Sequence, residues 1–266
     1  MRTTIAPTGR YLLFLDILGF SEMVEKKSSD ETYRVLNDVL AEFNRWEKAN
    51  GDFRTIYFSD TIIFYQYPEG YGDWAFLDVY AIGAMILSAL LARGIPARGA
   101  ISFGQFEVRL DDAAKHQMYF GAALVEAYRA EQRENWIGIT ILESAWSLFD
   151  ESTRGMIQVF ANEGAWIKRK DNVLLLNPFI SLWDAHTMFH SGEFNRDSYK
   201  EYSSQLANDI RALKYLVRTA KDFENQGDFS GKVATKYHST IAFLRTVLGE
   251  ERYQWALDLA DFDTVE

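Results

Sequence analysis

Residues Tyr11 to Ser21 read YLLFLDILGFS, an apolar run of β type with one carboxylate, Asp16, in its middle. This stretch constrains the fold more than any other. A run of Leu, Ile and Phe this dense predicts a buried strand, whereas an unpaired carboxylate carried into such a core loses several kcal/mol. Asp16 therefore requires a cation, a donor-rich turn, or water at a strand end. On one reading it caps the helix that follows the Gly19-Phe20-Ser21 turn. On the sharper reading it binds a metal, which requires a second carboxylate elsewhere in the chain.

The remaining elements follow in order. Asp30 to Asn50 places Tyr33, Leu36, Val39, Leu40, Phe43 and Trp46 on one helical face, with Ser29 or Asp30 as N-cap and Gly51 as the stop. Phe53 to Phe58 and Thr61 to Tyr67 are β-rich and flank Ser59-Asp60, which predicts a hairpin. Trp74 to Leu91 is the most apolar helix, ended by Gly94-Ile95-Pro96. A glycine-broken strand spans Arg98 to Gly104, and Gln105 to Lys115 projects as a β-arm or loop. Tyr119 to Glu134 turns helical after Gly121, Trp136 to Leu142 is a strand, and Ala165 to Asn177 is a hairpin. The order β, α, β-hairpin, α, β, α, β is that of a ferredoxin-like α+β layer, in which helices cover one face of a mostly antiparallel sheet. Beyond Pro178 the pattern changes to long amphipathic helices, Asp197 to Phe223 and Lys232 to Leu259, joined by the Gly227 to Gly231 loop. The expected division is a sheet domain over 1–178 and a C-terminal helical appendage over 179–266.

Composition narrows the function. With 48% hydrophobic and 15% aromatic residues in 266, a large core is available. A net charge of −10 argues against general binding of nucleic acid or anionic membranes. The absence of cysteine excludes disulfides, thiolate zinc sites and thiol nucleophiles. MRTTIAPTGR lacks the apolar run of a signal peptide, and Val79 to Ala92 is too short to span a bilayer, so a soluble cytoplasmic protein is expected. His116, His186, His190 and His238 are scattered and read as surface or structural residues.

The second carboxylate is Asp60, in FSDTIIF. Alone it reads as turn chemistry. If its hairpin neighbours the Asp16 strand, the two carboxylates converge and repel unless a cation bridges them. An oxygen-only donor set suits hard cations such as Mg²⁺ or Mn²⁺, commonly shared with phosphates. That combination points to a nucleoside triphosphate.

These residues carry a family resemblance. LFLDILGFS resembles the first metal motif of class III nucleotidyl cyclases, FSDTIIF their hairpin motif with the second metal Asp, RGAISFG the glycine-containing strand that follows, and YFGAALVEAYRAE their helix entrance. The resemblance covers roughly Tyr11 to Asn177 and implies a class III cyclase sheet, two divalent cations (Mn²⁺ or Mg²⁺), and a homodimer with composite active sites. It implies that Asp16, Ile17 and Asp60 hold the metals and that the turn amides of Gly19 and Phe20 meet the triphosphate. The other protomer supplies base recognition and, as the transition-state residue, Arg129. Arg129 also reads as a surface arginine paired with Glu126 or Glu131.

The departures are informative. Aligned on Gly121, the family's ribose-positioning Asn falls at Val125. The purine-reading Lys is missing from Thr55-Ile56-Tyr57-Phe58, and its Asp partner falls at Met118. The pattern resembles the pyrimidine cyclases of Pycsar antiphage systems, which implies UTP or CTP as substrate and a product read by a separate effector protein. Tyr57 is the candidate reader of the base, since its hydroxyl can donate and accept while its ring fills space; it also reads as a cross-strand packing residue. Arg98 is placed to reach a base carbonyl or a phosphate, or else faces solvent. Lys170 matches the family's late lysine for the distal phosphates, with Lys168 and Arg169 as competitors.

Overall fold

The computed structural model describes residues 9–50, 53–66, 74–111, 116–147, 166–168, 173–191 and 204–262. Strand β1 (Gly9–Ile17) lies within a seven-stranded sheet. Both of its neighbours, β3 (Thr61–Gln66) and β4 (Ala97–Gln105), run antiparallel to it. β2 (Phe53–Phe58) closes the expected hairpin on β3 and forms one edge. On the other side β7 (Ile139–Ile141) runs parallel to β4, and β9 (Leu174–Leu176) and β8 (Trp166–Lys168) continue the sheet antiparallel. The charged segment after β4 is an arm, in which β5 (Glu107–Asp111) pairs only with β6 (His116–Phe120) among the described residues.

Helices α1 (Phe20–Lys26) and α2 (Ser29–Asn50) follow β1. The cap of α2 is Ser28, one residue before the expected position. Its hydroxyl accepts from the Glu31 amide at 3.2 Å while the Glu31 carboxylate accepts from the Ser28 amide at 2.9 Å. This reciprocal pair outcompetes Ser29 and Asp30 because it satisfies donors at both ends of the first turn.

The alternation of β1 explains its unbroken apolar run. Tyr11, Leu13, Leu15 and Ile17 face a core shared with α3 (Trp74–Leu91). Leu12 and Phe14 face the other way, into a core with Ala123, Ala127 and Ala130 of α4 (Ala122–Arg133). The α+β class is as expected, but helices stand on both faces of the sheet rather than one. A strand covered on both sides has no reason to alternate polar with apolar.

A short α5 (Glu143–Trp146) follows β7. The C-terminal helices are α6 (Ile180–His190), α7 (Ser204–Asn225), α8 (Lys232–Leu248) and α9 (Glu250–Phe262). Helix α6 was not foreseen, and the single pattern expected to Leu259 breaks at Gly249 into two helices. Leu206, Ile210, Leu213 and Leu216 of α7 join the same core as α3 and β1. Two polar contacts fix the docking. Ser88 of α3 donates to Asp209 of α7 at 2.5 Å, and Thr240 of α8 accepts from the Ile137 amide at 2.8 Å. No helix among the described residues is long and apolar enough to cross a membrane.

Candidate active site

Asp16 is the penultimate residue of β1 and points to the α4 face, beyond Leu12 and Phe14. Its neighbours in register are Thr61 on β3 and Arg98 on β4. The hairpin turn bends around Ser59, which takes a left-handed backbone (φ 57°). The Ile17 amide donates to the Asp60 carbonyl at 2.8 Å, and this bond pins the turn to the end of β1. The two aspartates therefore sit at the same end of adjacent strands, the condition on which their convergence depended. Burial pushes the Asp16 carboxyl above its ordinary range, and the negative charge of Asp60 pushes it further.

Beyond Ile17 the chain turns sharply. The Leu18 amide donates to the Pro96 carbonyl at 2.8 Å, and Gly19 adopts φ 73° and ψ 19° to begin α1. A side chain on Gly19 would meet nothing within 4 Å, so the approach to the Phe20 turn is open. Its left-handed backbone is the reason for glycine there.

Arg98 does not face solvent. Its side chain is 13% exposed and forms an ion pair with Glu131 of α4, which is fully buried. Nη1 also donates to the Glu134 carbonyl at 3.0 Å. Arg98 Nε stands 3.7 Å from Asp16 Oδ2, beyond hydrogen-bond reach. The guanidinium charge thus pulls the Asp16 carboxyl down, against burial, while Nη1 gives its hydrogen bond to Glu134. Glu131 is held above its ordinary range by burial, against the pull of Arg98. Lys236 of α8 also acts on Asp16 and Glu131, and burial and the Arg98 charge push its own ammonium down. Neither Glu131 nor Lys236 was singled out from sequence as a site residue. Glu131 sits in a helix full of charges, and Lys236 belongs to the appendage.

The donor set fits hard divalent cations. Asp16 and Asp60 bring two carboxylates to this end of the sheet, and neither histidine nor cysteine is among the register neighbours of Asp16.

Beside the aspartates, on the same face, lies an apolar groove of about 630 Å³. Phe14, Ile56, Tyr57, Thr61, Val125 and Tyr128 are among its walls, and among the described residues no Asp, Glu, Lys, Arg or His lines it. Tyr57 is 45% exposed there, so it is not fully packed as a cross-strand residue. Tyr128 meets Phe14 edge-on at 5.8 Å. Arg129 is exposed on α4, whose buried side carries Ala123, Ala127, Ala130 and Glu131. Glu131 is the partner of Arg98 rather than of Arg129. Lys170 lies outside the described residues.

No family model and no curated protein matches the chain. Solved structures do. The monomeric guanylyl cyclase domain of the RhoGC fusion protein from the aquatic fungus Blastocladiella emersonii matches with a TM-score of 0.49 at 15% identity, covering 64% of this chain and 94% of that one. The guanylate cyclase domain of RhGC from Catenaria anguillulae, in complex with GTP, matches at 0.47 and 17% identity over 64% and 94%. The adenylyl cyclase CyaB from P. aeruginosa matches at 0.44 and 20% identity over 53% and 80%. These likenesses are distant, and the functional reading rests on the residues of the site.

Proposed function

We propose that this chain is a nucleotidyl cyclase of the class III type, converting UTP, and less readily CTP, to the 3′,5′-cyclic nucleotide and pyrophosphate. The observation that carries the proposal is the pair Asp16 and Asp60 at one end of adjacent strands, joined through the Ile17–Asp60 hydrogen bond. Bound divalent cations, Mn²⁺ or Mg²⁺, would supply Lewis acidity to the ribose 3′-oxygen and neutralise the triphosphate. Asp16, Ile17 and Asp60 hold that charge in place. The amides of the Gly19-Phe20 turn orient phosphate oxygens. Arg129, exposed on α4, reaches across a homodimer to the α-phosphate of the partner's site, where its guanidinium meets charge developing in the transition state. The 3′-oxygen attacks the α-phosphorus as the bond to the pyrophosphate oxygen breaks, and the hydroxyl proton leaves to solvent. Positioning and electrostatics suffice for this transfer. Lys170 holds the distal phosphates.

The second copy covers the apolar groove, where Tyr57, Phe58, Val125 and Tyr128 expose 45%, 78%, 46% and 51% of their surface. Its uncharged lining supports a pyrimidine, whose edge can be read by the Tyr57 hydroxyl and which needs no Lys–Asp pair. By the same resemblance, the product is a cytoplasmic second messenger in antiviral defence, read by a separate effector.

The test is incubation with all four nucleoside triphosphates and Mn²⁺ or Mg²⁺, with products identified by mass spectrometry. Cyclic UMP should dominate, and Asp16→Ala or Asp60→Ala should abolish turnover with the fold intact. Cyclic AMP or GMP as the main product would refute the pyrimidine assignment. Full activity in both variants would refute the site, and metal-dependent UTP binding without pyrophosphate release would make the chain a binding module.

A further inference from the structure

Helices α6 and α9 bring together three residues that the proposed cyclase site does not use. His186 and His190 stand one turn apart on α6, the spacing that places two imidazoles on one helix face. Their Nε2 atoms are 2.9 Å apart. Glu251, in the first turn of α9, places Oε1 3.5 Å from His190 Nε2. One ligating atom from each residue lies within 4.8 Å of the other two. Trp255, one turn further along α9, stands edge-on to the His186 ring at 5.2 Å and limits its rotation. His186 is buried, while His190 and Glu251 are open to solvent and leave an entry path.

A hydrogen bond between two neutral imidazoles accounts for the nitrogen–nitrogen distance. Glu251 closes the triangle from α9 as an ion-pair partner of His190, at a separation too long for a good hydrogen bond. We propose that His186, His190 and Glu251 bind one divalent transition-metal ion, Zn²⁺ by preference. Zn²⁺ takes imidazole nitrogen at about 2.0–2.1 Å, so two ligands in a tetrahedral shell stand about 3.3 Å apart, which lies between the 2.9 Å of His186–His190 and the 3.5 Å of His190–Glu251. Two nitrogens and one carboxylate select a borderline ion, whereas the all-oxygen set of Asp16 and Asp60 selects a hard one. The two sites therefore discriminate between metals. Water completes the zinc shell, which makes the ion exchangeable. Its position between α6 and α9 ties the last of the described helices to α6.

The experiment uses the full chain, stripped with a chelator and then dialysed against Zn²⁺ in excess Mg²⁺. Metal content is read by mass spectrometry, ligand geometry by Co²⁺ absorption, and thermal midpoint with and without Zn²⁺. We expect close to one zinc per chain, tetrahedral Co²⁺ bands and a rise in midpoint of several degrees. His190→Ala and Glu251→Gln alter exposed side chains, so the fold should persist by circular dichroism while zinc affinity falls at least tenfold and the thermal shift disappears. Asp16→Ala/Asp60→Ala should keep its zinc, which separates this site from the cyclase reading. Less than a tenth of an equivalent in the wild type, unchanged affinity in both histidine-site variants, or loss of zinc in the double aspartate variant would each overturn the proposal.

Discussion

Asp209→Asn should make the protein more stable, and only above a defined pH. Asp209 is fully buried in α7, where Ser88 of α3 and Gln205 donate to its Oδ1 at 2.5 and 2.8 Å. Burial pushes its carboxyl up to about 7 from 3.8, although the Ser88, Gln205 and Ser181 hydrogen bonds pull the other way. Below the unfolded value both states carry the proton, and stability is at its fullest. Between that value and about 7 the native state keeps a proton that the unfolded chain has released, so stability falls as pH rises. Above about 7 the native state holds a buried charge, and the accumulated loss is roughly 3 pH units at 1.36 kcal/mol each, or about 4 kcal/mol. Asparagine has the shape of the neutral acid and does not titrate. The difference in thermal midpoint between variant and wild type, followed from pH 4 to pH 9 by calorimetry, should start near zero and grow to roughly 10 °C. Taking the difference cancels groups that titrate alike in both proteins. A variant that is less stable than wild type at pH 9 would show that the ionised carboxylate is well solvated or paired in place, and the burial argument would fail.

The other predictions concern the assembly and the helix ends. Mixing Asp16→Ala with Arg129→Ala protein, each inactive alone, should restore up to about a quarter of wild-type turnover, because half the randomised dimers are mixed and each carries one intact site of two; no recovery after subunit exchange would place Arg129 in its own protomer's site or outside catalysis. Tyr128→Glu puts a charge on the exposed wall of the apolar groove. It should shift the protein to monomer in sedimentation velocity, and an unchanged oligomeric state would remove the groove from the interface. Ser28→Ala deletes the hydroxyl that accepts from the Glu31 amide. It should lower stability by about 1 kcal/mol in chemical denaturation, and a change within error would show that water replaces the cap.

How much of this was legible depends on how local each feature is. The hairpin around Asp60, the strand around Asp16 and the helix at Ser29–Asn50 follow from turn chemistry and periodicity within a few residues. The continuous apolar run of β1 carried a sign of burial on both faces, which the expectation of helices on one face missed. The His186–His190 spacing was visible as well, but two histidines one turn apart say little until a third ligand arrives from another helix. Beyond Asp60, the surroundings of Asp16 were not readable. Arg98 faces it through the β1–β4 register, Glu131 arrives with the docking of α4, and Lys236 with that of α8.

The carboxylate in YLLFLDILGFS and its partner in FSDTIIF were present in the chain order, because alternation and turn preference act between residues that are neighbours along the backbone. What surrounds those carboxylates came from packing. The pairing of β1 with β4 commits Arg98 to Glu131, and the C-terminal helices, joining the same core, carry Lys236 toward the site and Glu251 to the histidines. Such contacts depend on which helix face meets which strand face, a choice set by the burial of the whole apolar surface and not by any single segment.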